Sequence, residues 1–247
     1  MTFAVPIPIH GRRPLILDTI SRWLDMSVHV VCIGNRDIDR ELVEANFPQV
    51  KWLNAPNSPL GNKWNVGFKE AIRHADHVIF AGSSDWVSHD YLEQVRQLEG
   101  NEVIGSLGCT FLEFYKLSEP KARLWKGYAE GHRKHETIGI GRVLKSTLVE
   151  QMFAKCNGVF KAELNSSLDF SMWAKVAALK ESGVAINKAI ISNKATNLVS
   201  ISCPQIWSNK HRFSFCTDSN SKPVAISDLQ AYFSQIKSTQ NRINQWA

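Results

Sequence analysis

The 247-residue sequence lacks any run of about 18 consecutive apolar residues, so no segment is expected to span a bilayer as a helix. It does not open on a basic stretch followed by an apolar core, which argues against a secretory leader. It has no C-x-x-C pair and no Cys/His cluster. The five cysteines, Cys32, Cys109, Cys156, Cys203 and Cys216, are odd in number and widely scattered. Zinc and disulfide frameworks are therefore disfavoured, and reduced thiols in a cytoplasmic setting are expected. No G-x-x-x-x-G-K-[ST] loop occurs and no G-x-G-x-x-G follows the first apolar run, which disfavours an ordinary ATPase or a dinucleotide dehydrogenase. Gly139-x-Gly141 is a fragment of such a loop and comes too late in the chain. No G-x-S-x-G elbow is present, against the common hydrolase pattern. Internal repeats and low-complexity tracts are absent as well.

What is present is an ample apolar fraction, 44%, and a basic charge placed unevenly. Residues 1–115 carry 10 Lys/Arg against 14 Asp/Glu, whereas residues 116–247 carry 19 against 9. A second half with a balance of +10 suits a polyanionic partner, or is simply a solvated basic face. The first half alternates apolar β-branched runs with amphipathic ones. Strands are expected over Phe3–Ile9, Val28–Ile33, Val50–Leu53 and 77–81, and a long or bent one over Glu102–Tyr115. Helices are expected over Leu15–Leu24, Asp39–Asn46, Trp64–His74 and Ser88–Leu98. This alternation predicts an α/β fold with a mostly parallel sheet flanked by helices. Residues 116–136 read as irregular. A strand is expected over Ile138–Leu144, helices over Ser146–Phe153 and Asn165–Lys180, a last strand over Ala185–Ile191, loop over 192–222 and a terminal helix over Ile226–Ile236. Residues 1–115 and 116–247 are read as two halves of one continuous domain.

The most informative run is His77-Val78-Ile79-Phe80-Ala81-Gly82-Ser83-Ser84-Asp85-Trp86. It reads as a buried strand ending in small residues and one carboxylate. In open α/β sheets that edge binds ligands, and a carboxylate there can hold a divalent cation that in turn holds a diphosphate. The alternative is that Asp85 caps the following helix.

Four pieces in order carry a family resemblance: Pro8-Ile9-His10-Gly11-Arg12; Pro59-Leu60-Gly61-Asn62-Lys63-Trp64-Asn65-Val66-Gly67; Gly82-Ser83-Ser84-Asp85-Trp86-Val87-Ser88; and Leu168-Asp169 opening a helix. Over roughly residues 3–180 the chain resembles GT-A fold glycosyltransferases of the family-2-like group. The Gly-Ser-Ser-Asp-Trp-Val-Ser form is similar to small bacteriophage enzymes that modify DNA. The resemblance implies a Rossmann-like first half that binds a nucleotide sugar, UDP-glucose by default, and a second half that binds the acceptor.

It also implies roles for single residues. Pro8, His10, Arg12 and Arg13 would border the nucleobase, ribose and phosphate, although Arg12 is equally a plain surface residue. Gly34 and Asn35 would lie against the base, and Lys63 and Asn65 would line the nucleotide pocket. Ser83, Ser84 and Asp85 stand where the family has two or three aspartates. With Ser84 in place of an acid, Asp85 is a single ligand for Mn²⁺ or Mg²⁺, and little metal affinity is expected before the donor arrives. Asp169 stands where inverting members place the catalytic base, with helix capping as its alternative and Glu163 as the reserve base. Gly139 and Gly141 would form a ledge for sugar and acceptor, with Arg142 on a phosphate. His211, between Lys210 and Arg212, would add a late metal ligand.

The acceptor is the least determined part. Lys116, Lys121, Arg123, Lys126, Arg133 and Lys134 interleave with Tyr115, Trp125, Tyr128 and His132, a pattern suited to phosphates and an unstacked base. With the phage resemblance, the acceptor is read as a 5-hydroxymethylpyrimidine in DNA, in the host cytoplasm if the chain is phage-encoded. A glycosyltransferase for surface polysaccharide or lipid-linked sugar, and a nucleic-acid-binding module with a degenerate donor site, stand as alternatives.

Overall fold

The computed structural model describes the chain except residues 12, 114–119, 129–132, 135, 193, 202–215, 217–218 and 247, and except the side chains of 14 and 242–246. Among the described residues the first half runs β1 (Phe3–Pro8), α1 (Arg13–Asp25), β2 (His29–Gly34), α2 (Asp37–Asn46), β3 (Lys51–Asn54), α3 (Leu60–Ala71), β4 (His77–Phe80), β5 (Asp85–Val87), α4 (His89–Arg96), β6 (Val103–Ser106) and β7 (Cys109–Glu113). It continues with β8 (Lys121–Trp125), β9 (Arg142–Lys145), α5 (Ser146–Cys156), α6 (Leu168–Glu181), β10 (Lys188–Ile191), β11 (Leu198–Ile201), β12 (Ser221–Pro223), α7 (Ile226–Gln230) and α8 (Ile236–Trp246).

The larger sheet has the order β10-β6-β9-β4-β1-β2-β3, and every neighbouring pair is parallel except those of β9, which is antiparallel to β4 and β6. Its inner strands are largely apolar and buried on both faces, as a sheet covered by two helix layers requires, whereas the edge strands β3 and β10 are partly exposed. Alternate residues divide between the layers. Val5, Ile7, Ile79 and Val143 pack with Ile16, Ile20 and Trp23 of α1 and Tyr91, Leu92 and Val95 of α4. Ala4, Val78 and Leu144 pack with Trp64 and Phe68 of α3, Leu148 and Met152 of α5 and Met172 of α6. Leu168, Met172, Val176 and Leu179 form the buried stripe of α6, as their helical spacing predicts.

Two prolines in β1 shape the centre of this sheet. Pairing with β2 runs from Ala4 to Pro8, but pairing with β4 stops at Ala4↔Val78. Pro6 and Pro8 have no N–H to give a ladder. Beyond Ala4 the two strands stay side by side without bridging, and their carboxyl ends border the cleft described below.

The second sheet departs from the sequence expectation. Its order is β12-β8-β7-β11-β5. Residues 102–113 of the run expected as one strand hold two: β6 stays in the larger sheet, and the chain turns at Leu107-Gly108 to place β7 in the second. The run after β4 repeats the manoeuvre, so Asp85-Trp86-Val87 is a short strand antiparallel to β11 rather than loop. Residues 121–125, expected to be irregular, pair with β7, and residues 198–201, expected to be loop, pair with β5 and β7. These short strands have too few residues for a period of two to register. The terminal helix expected over Ile226–Ile236 is two helices, whose Leu229, Phe233 and Ile236 region covers Trp86, Leu112, Val199 and Ile201. Among the described residues no helix is long and apolar enough to cross a membrane.

His77, at the start of β4, is 3% exposed, and neither ring nitrogen has a hydrogen-bond partner among the described residues. Burial lowers its pKa, and burial with the stacked His74 lowers that of His29. The unfolded chain takes up these protons first, near pH 6.5, so it binds more protons than the folded state below that pH and stability falls on acidification. We predict a lower melting temperature at about pH 5.5 than at pH 7. His77→Leu should reduce the difference in parallel thermal melts; an unchanged difference would remove His77 from the account.

Candidate functional site

A cleft of about 750 Å³ opens at the carboxyl ends of β1 and β4, within the range of small-ligand sites. Pro8 and His10 border it from the end of β1, Lys63 and Trp64 from α3, Phe80 to Asp85 from the β4–β5 turn, and Asp169 from α6. Phe111, Trp125 and Tyr128 close it from the second sheet and the segment after it.

The turn fixes Asp85. Its Oδ2 accepts the Gly82 N–H at 2.8 Å and its Oδ1 accepts the Ser200 hydroxyl at 2.8 Å from the neighbouring strand β11. The helix-cap alternative fails, because Ser88 caps α4 and accepts from the Tyr91 N–H at 3.2 Å. Asp85 is thus a half-buried carboxylate on the cleft wall, with Ser83 and Ser84 beside it. Each oxygen keeps acceptor capacity for a hard cation. Among the described residues no group of three or more His, Cys, Asp or Glu could hold a metal. Asp85 fits a cation that takes one protein carboxylate and completes its shell with substrate phosphates and water. His211, Lys210 and Arg212 lie outside the described residues.

Asp169 sits in the first turn of α6, whose N-cap is Ser167 in the left-handed region at φ 56°. Asp169 is therefore not the cap; its Oδ2 accepts from Arg133 Nη2 at 2.6 Å. Arg133 also forks onto Glu136, both contacts at 2.7 Å, and its guanidinium stacks 4.0 Å from the Tyr128 ring centroid. Burial opposes the Arg133 charge, but Glu136 and Asp169 outweigh it and raise its pKa. Burial also pushes the Tyr128 phenol up to about 12, and Asp169 adds to it. Gly139 backs this arrangement: a Cβ there would lie 2.6 Å from Phe80 Cε1 and 2.9 Å from Asp169 Cβ, so only a glycine lets the chain pass. Glu163, the reserve base, is exposed and lies away from the cleft.

The donor-side expectations divide. Pro8, His10, Lys63, Ser83 and Ser84 line the cleft. Lys63 is fully buried, and its Nζ donates to Ile9 O at 2.7 Å and Asn57 Oδ1 at 3.1 Å. Burial lowers its pKa to about 8, with Asp39 pulling the other way. Asn65 turns away and pairs with the Phe160 backbone in both directions, at 3.0 and 2.9 Å, tying α3 to the segment before α6. Asn35 is exposed outside the cleft, and Gly34 is packed under Trp52. Gly141 has φ +72° and its carbonyl accepts the Tyr91 hydroxyl at 2.8 Å, a structural turn rather than a ledge. Arg142 is not a phosphate ligand. It is fully buried, and its guanidinium is spent on Thr137 O and Oγ1, the Asp169 carbonyl and Glu136. Arg12 lies outside the described residues, and Arg13 pairs with buried Asp39, which also accepts the Gly11 N–H at 2.9 Å.

The acceptor-side expectations divide as well. Trp125, Tyr128 and Arg133 line the cleft. Arg123 donates to Ser221 Oγ across the sheet at 3.1 and 3.0 Å. Lys121, Lys126 and Lys134 are exposed; Lys126 borders a separate groove with Lys222, Leu107 and Ile190. Lys116, Tyr115 and His132 lie outside the described residues. Sequence reasoning missed Glu136, Ser200 and Phe111. A lone Glu in a polar stretch and a Ser in an unrecognised strand carry no signal that separates them from surface residues.

No protein-family model and no curated protein matches the chain in sequence. Solved structures do match it in fold. Residues 1–349 of S. aureus TarS are 17% identical with a TM-score of 0.54, over 81% of this chain and 60% of that one. GalNAc-T7, solved with UDP, GalNAc and Mn²⁺, is 10% identical with a TM-score of 0.56, over 84% of this chain and 45% of that one. The inositol-1-phosphate CTP transferase of T. maritima is 9% identical with a TM-score of 0.50, over 87% and 94%. The chain thus spans less than two thirds of the first two. The likeness establishes a GT-A-like α/β fold, with a large, mostly parallel sheet flanked by helices.

A buried ammonium facing a cleft is suited to an anion, whose charge compensates the desolvation that lowers its pKa. We predict that pyrophosphate binding, measured by calorimetry, weakens as pH rises through about 8 while Lys63 loses its proton. Lys63→Met should weaken binding at pH 7 about tenfold and flatten that pH dependence. A variant that retains the same pH profile would assign the titration to another group.

Proposed function

We propose that the protein is a nucleotide-sugar-dependent glycosyltransferase that moves a sugar to a hydroxyl acceptor. The observation that carries this reading is that Asp85 and Asp169 line one cleft of a GT-A-like fold, from different elements and with different partners. Asp85, oriented by Gly82 and Ser200, is the residue that would hold Mn²⁺ or Mg²⁺, whose chemistry when bound is to offset the charge of the leaving diphosphate. Lys63 supplies a second, fixed positive charge for phosphate. His10 and Pro8 border the nucleotide, with UDP-glucose the default donor. Asp169 accepts the acceptor hydroxyl's proton as its oxygen attacks the anomeric carbon.

We further propose that the acceptor is a 5-hydroxymethylpyrimidine in DNA. Trp125 and Tyr128 meet edge to face at 4.9 Å between centroids, and Phe111 stacks on Trp125 at 5.9 Å. This aromatic wall adjoins Arg133 and Asp169 and suits a flat base taken out of the helix. The excess of basic residues over 116–247 supports a polyanion outside the cleft. Arg133 is spent on carboxylates, so phosphate contacts fall to exposed lysines such as Lys126 and Lys134.

The test is transfer from a panel of nucleotide sugars, with Mn²⁺, to DNA containing 5-hydroxymethylcytosine or 5-hydroxymethyluracil, followed by digestion and nucleoside mass spectrometry. A sugar mass on the modified nucleoside is expected. Asp85→Ala and Asp169→Asn should each lower the rate at least about a hundredfold, with DNA affinity unchanged in Asp85→Ala. Donor hydrolysis without a sugar on DNA would exclude the DNA acceptor and favour a polysaccharide or lipid-linked one. Pyrophosphate release from a nucleoside triphosphate would favour nucleotidyl transfer, which the same fold serves in the T. maritima enzyme. DNA binding with no turnover of any donor would favour a binding module.

A further inference from the structure

Asp169 is gripped twice, once through its side chain and once through its backbone. Arg133 Nη2 donates to its Oδ2 at 2.6 Å, and Arg142 Nη1 donates to its carbonyl at 3.0 Å. Glu136, buried, joins the two guanidiniums. Its carboxylate takes the fork of Arg133 at 2.7 Å on both oxygens, and its Oε1 lies 3.4 Å from Arg142 Nη2. Two cations and two carboxylates thus form a formally neutral set in the cleft wall, Arg133 and Asp169 at its surface and Arg142 and Glu136 buried beneath. Arg133 is further held between rings, 4.0 Å from the Tyr128 centroid and 5.5 Å from that of Phe170. A planar guanidinium can bridge two carboxylates from one edge in this way, whereas an ammonium cannot reproduce the fork. Among the described residues Oδ1 of Asp169 accepts no hydrogen bond, and Asp169 lines the cleft.

We infer that Arg133 is a positioning residue for glycosyl transfer: anchored by Glu136 and the two rings, it occupies Oδ2 of Asp169 and leaves Oδ1 to receive the acceptor's proton. This rests on the transfer reading above and replaces the expectation that Arg133 contacts acceptor phosphates. As the acceptor oxygen bonds to the anomeric carbon, its proton passes to Asp169 Oδ1. The sugar–phosphate bond breaks, and its electron pair leaves with the nucleoside diphosphate. Without Arg133 the carboxylate is free to rotate, and a misplacement of about 1 Å in such a site costs on the order of a hundredfold in rate.

The experiment uses the nucleotide sugar that the wild type turns over fastest and reads kcat and donor KM for wild type, Arg133→Ala and Arg133→Lys. A charge-matched Arg133→Ala/Glu136→Gln variant is included because Arg133→Ala leaves buried Glu136 with only its 3.4 Å contact to Arg142, which destabilises the fold. Expected are a kcat about a hundredfold lower in all three variants, a donor KM within about threefold of wild type, and recovery of at least tenfold in Arg133→Ala on adding millimolar guanidinium. A purely structural role would not give that recovery. An unchanged kcat, a raised donor KM with kcat preserved, or no guanidinium rescue in variants that melt like wild type would each overturn the inference alone. A wild type that turns over no nucleotide sugar would overturn the transfer reading itself, and this role with it.

Discussion

The shared carboxyl edge of β1 and β4 governs the site. Their ladder ends at Ala4↔Val78, just before Pro6, while β1 stays paired to β2 as far as Pro8. Past Phe80 the chain turns at Gly82 and sends Asp85 into the second sheet. There the strand partner β11 supplies Ser200 to hold the carboxylate. The same departure at Leu107-Gly108 carries β7 across and brings Phe111 to the opposite wall. Two strands of the second sheet, β5 and β7, are therefore continuations of strands that begin in the first. The cleft is the space left between the two sheets, lined at its rim by α3 and α6.

Charge is distributed in this cleft by burial as much as by count. Lys63 is held as a fully buried ammonium between Ile9 and Asn57, with its pKa lowered to about 8. Burying its charge is costly, Asp39 offsets part of that cost, and an anion in the cleft would offset more. On the other wall the charges are already matched, since Arg133 and Arg142 face Glu136 and Asp169. One side is thus electrostatically incomplete and suited to a phosphate-bearing donor. The other is complete and suited to holding a base still. Breaking the matched set by a single substitution leaves a buried charge without its partner, the costly case for buried ion pairs.

Much of the first half was legible in the sequence because its strands are long, apolar and separated by amphipathic helices; α1, α3 and the stripe of α6 fall where their spacing puts them. Asp85 and Asp169 were legible as candidates, and the capping alternatives for both give way to Ser88 and Ser167. The second sheet was not legible, since strands of three to five residues such as β5 and β8 carry too little pattern. Nor was the inward turn of Arg133 and Arg142. In sequence an Arg beside glycines reads as a phosphate ligand, and only the burial of Glu136 reveals that both guanidiniums have carboxylates to serve. Asn65 is the reverse case: its neighbours Lys63 and Trp64 line the cleft, but one helical step turns its amide onto Phe160.

The proposed transfer depends most directly on Asp85 as a link, through a divalent cation, to a nucleoside diphosphate. The most direct measurement is UDP binding by isothermal titration calorimetry, with and without Mn²⁺, to the wild type and to Asp85→Asn. The wild type should bind UDP about tenfold more tightly with Mn²⁺ than without, and the variant should bind UDP equally in both. UDP binding that ignores Mn²⁺ in the wild type, or a Mn²⁺ effect that survives in Asp85→Asn, would contradict it.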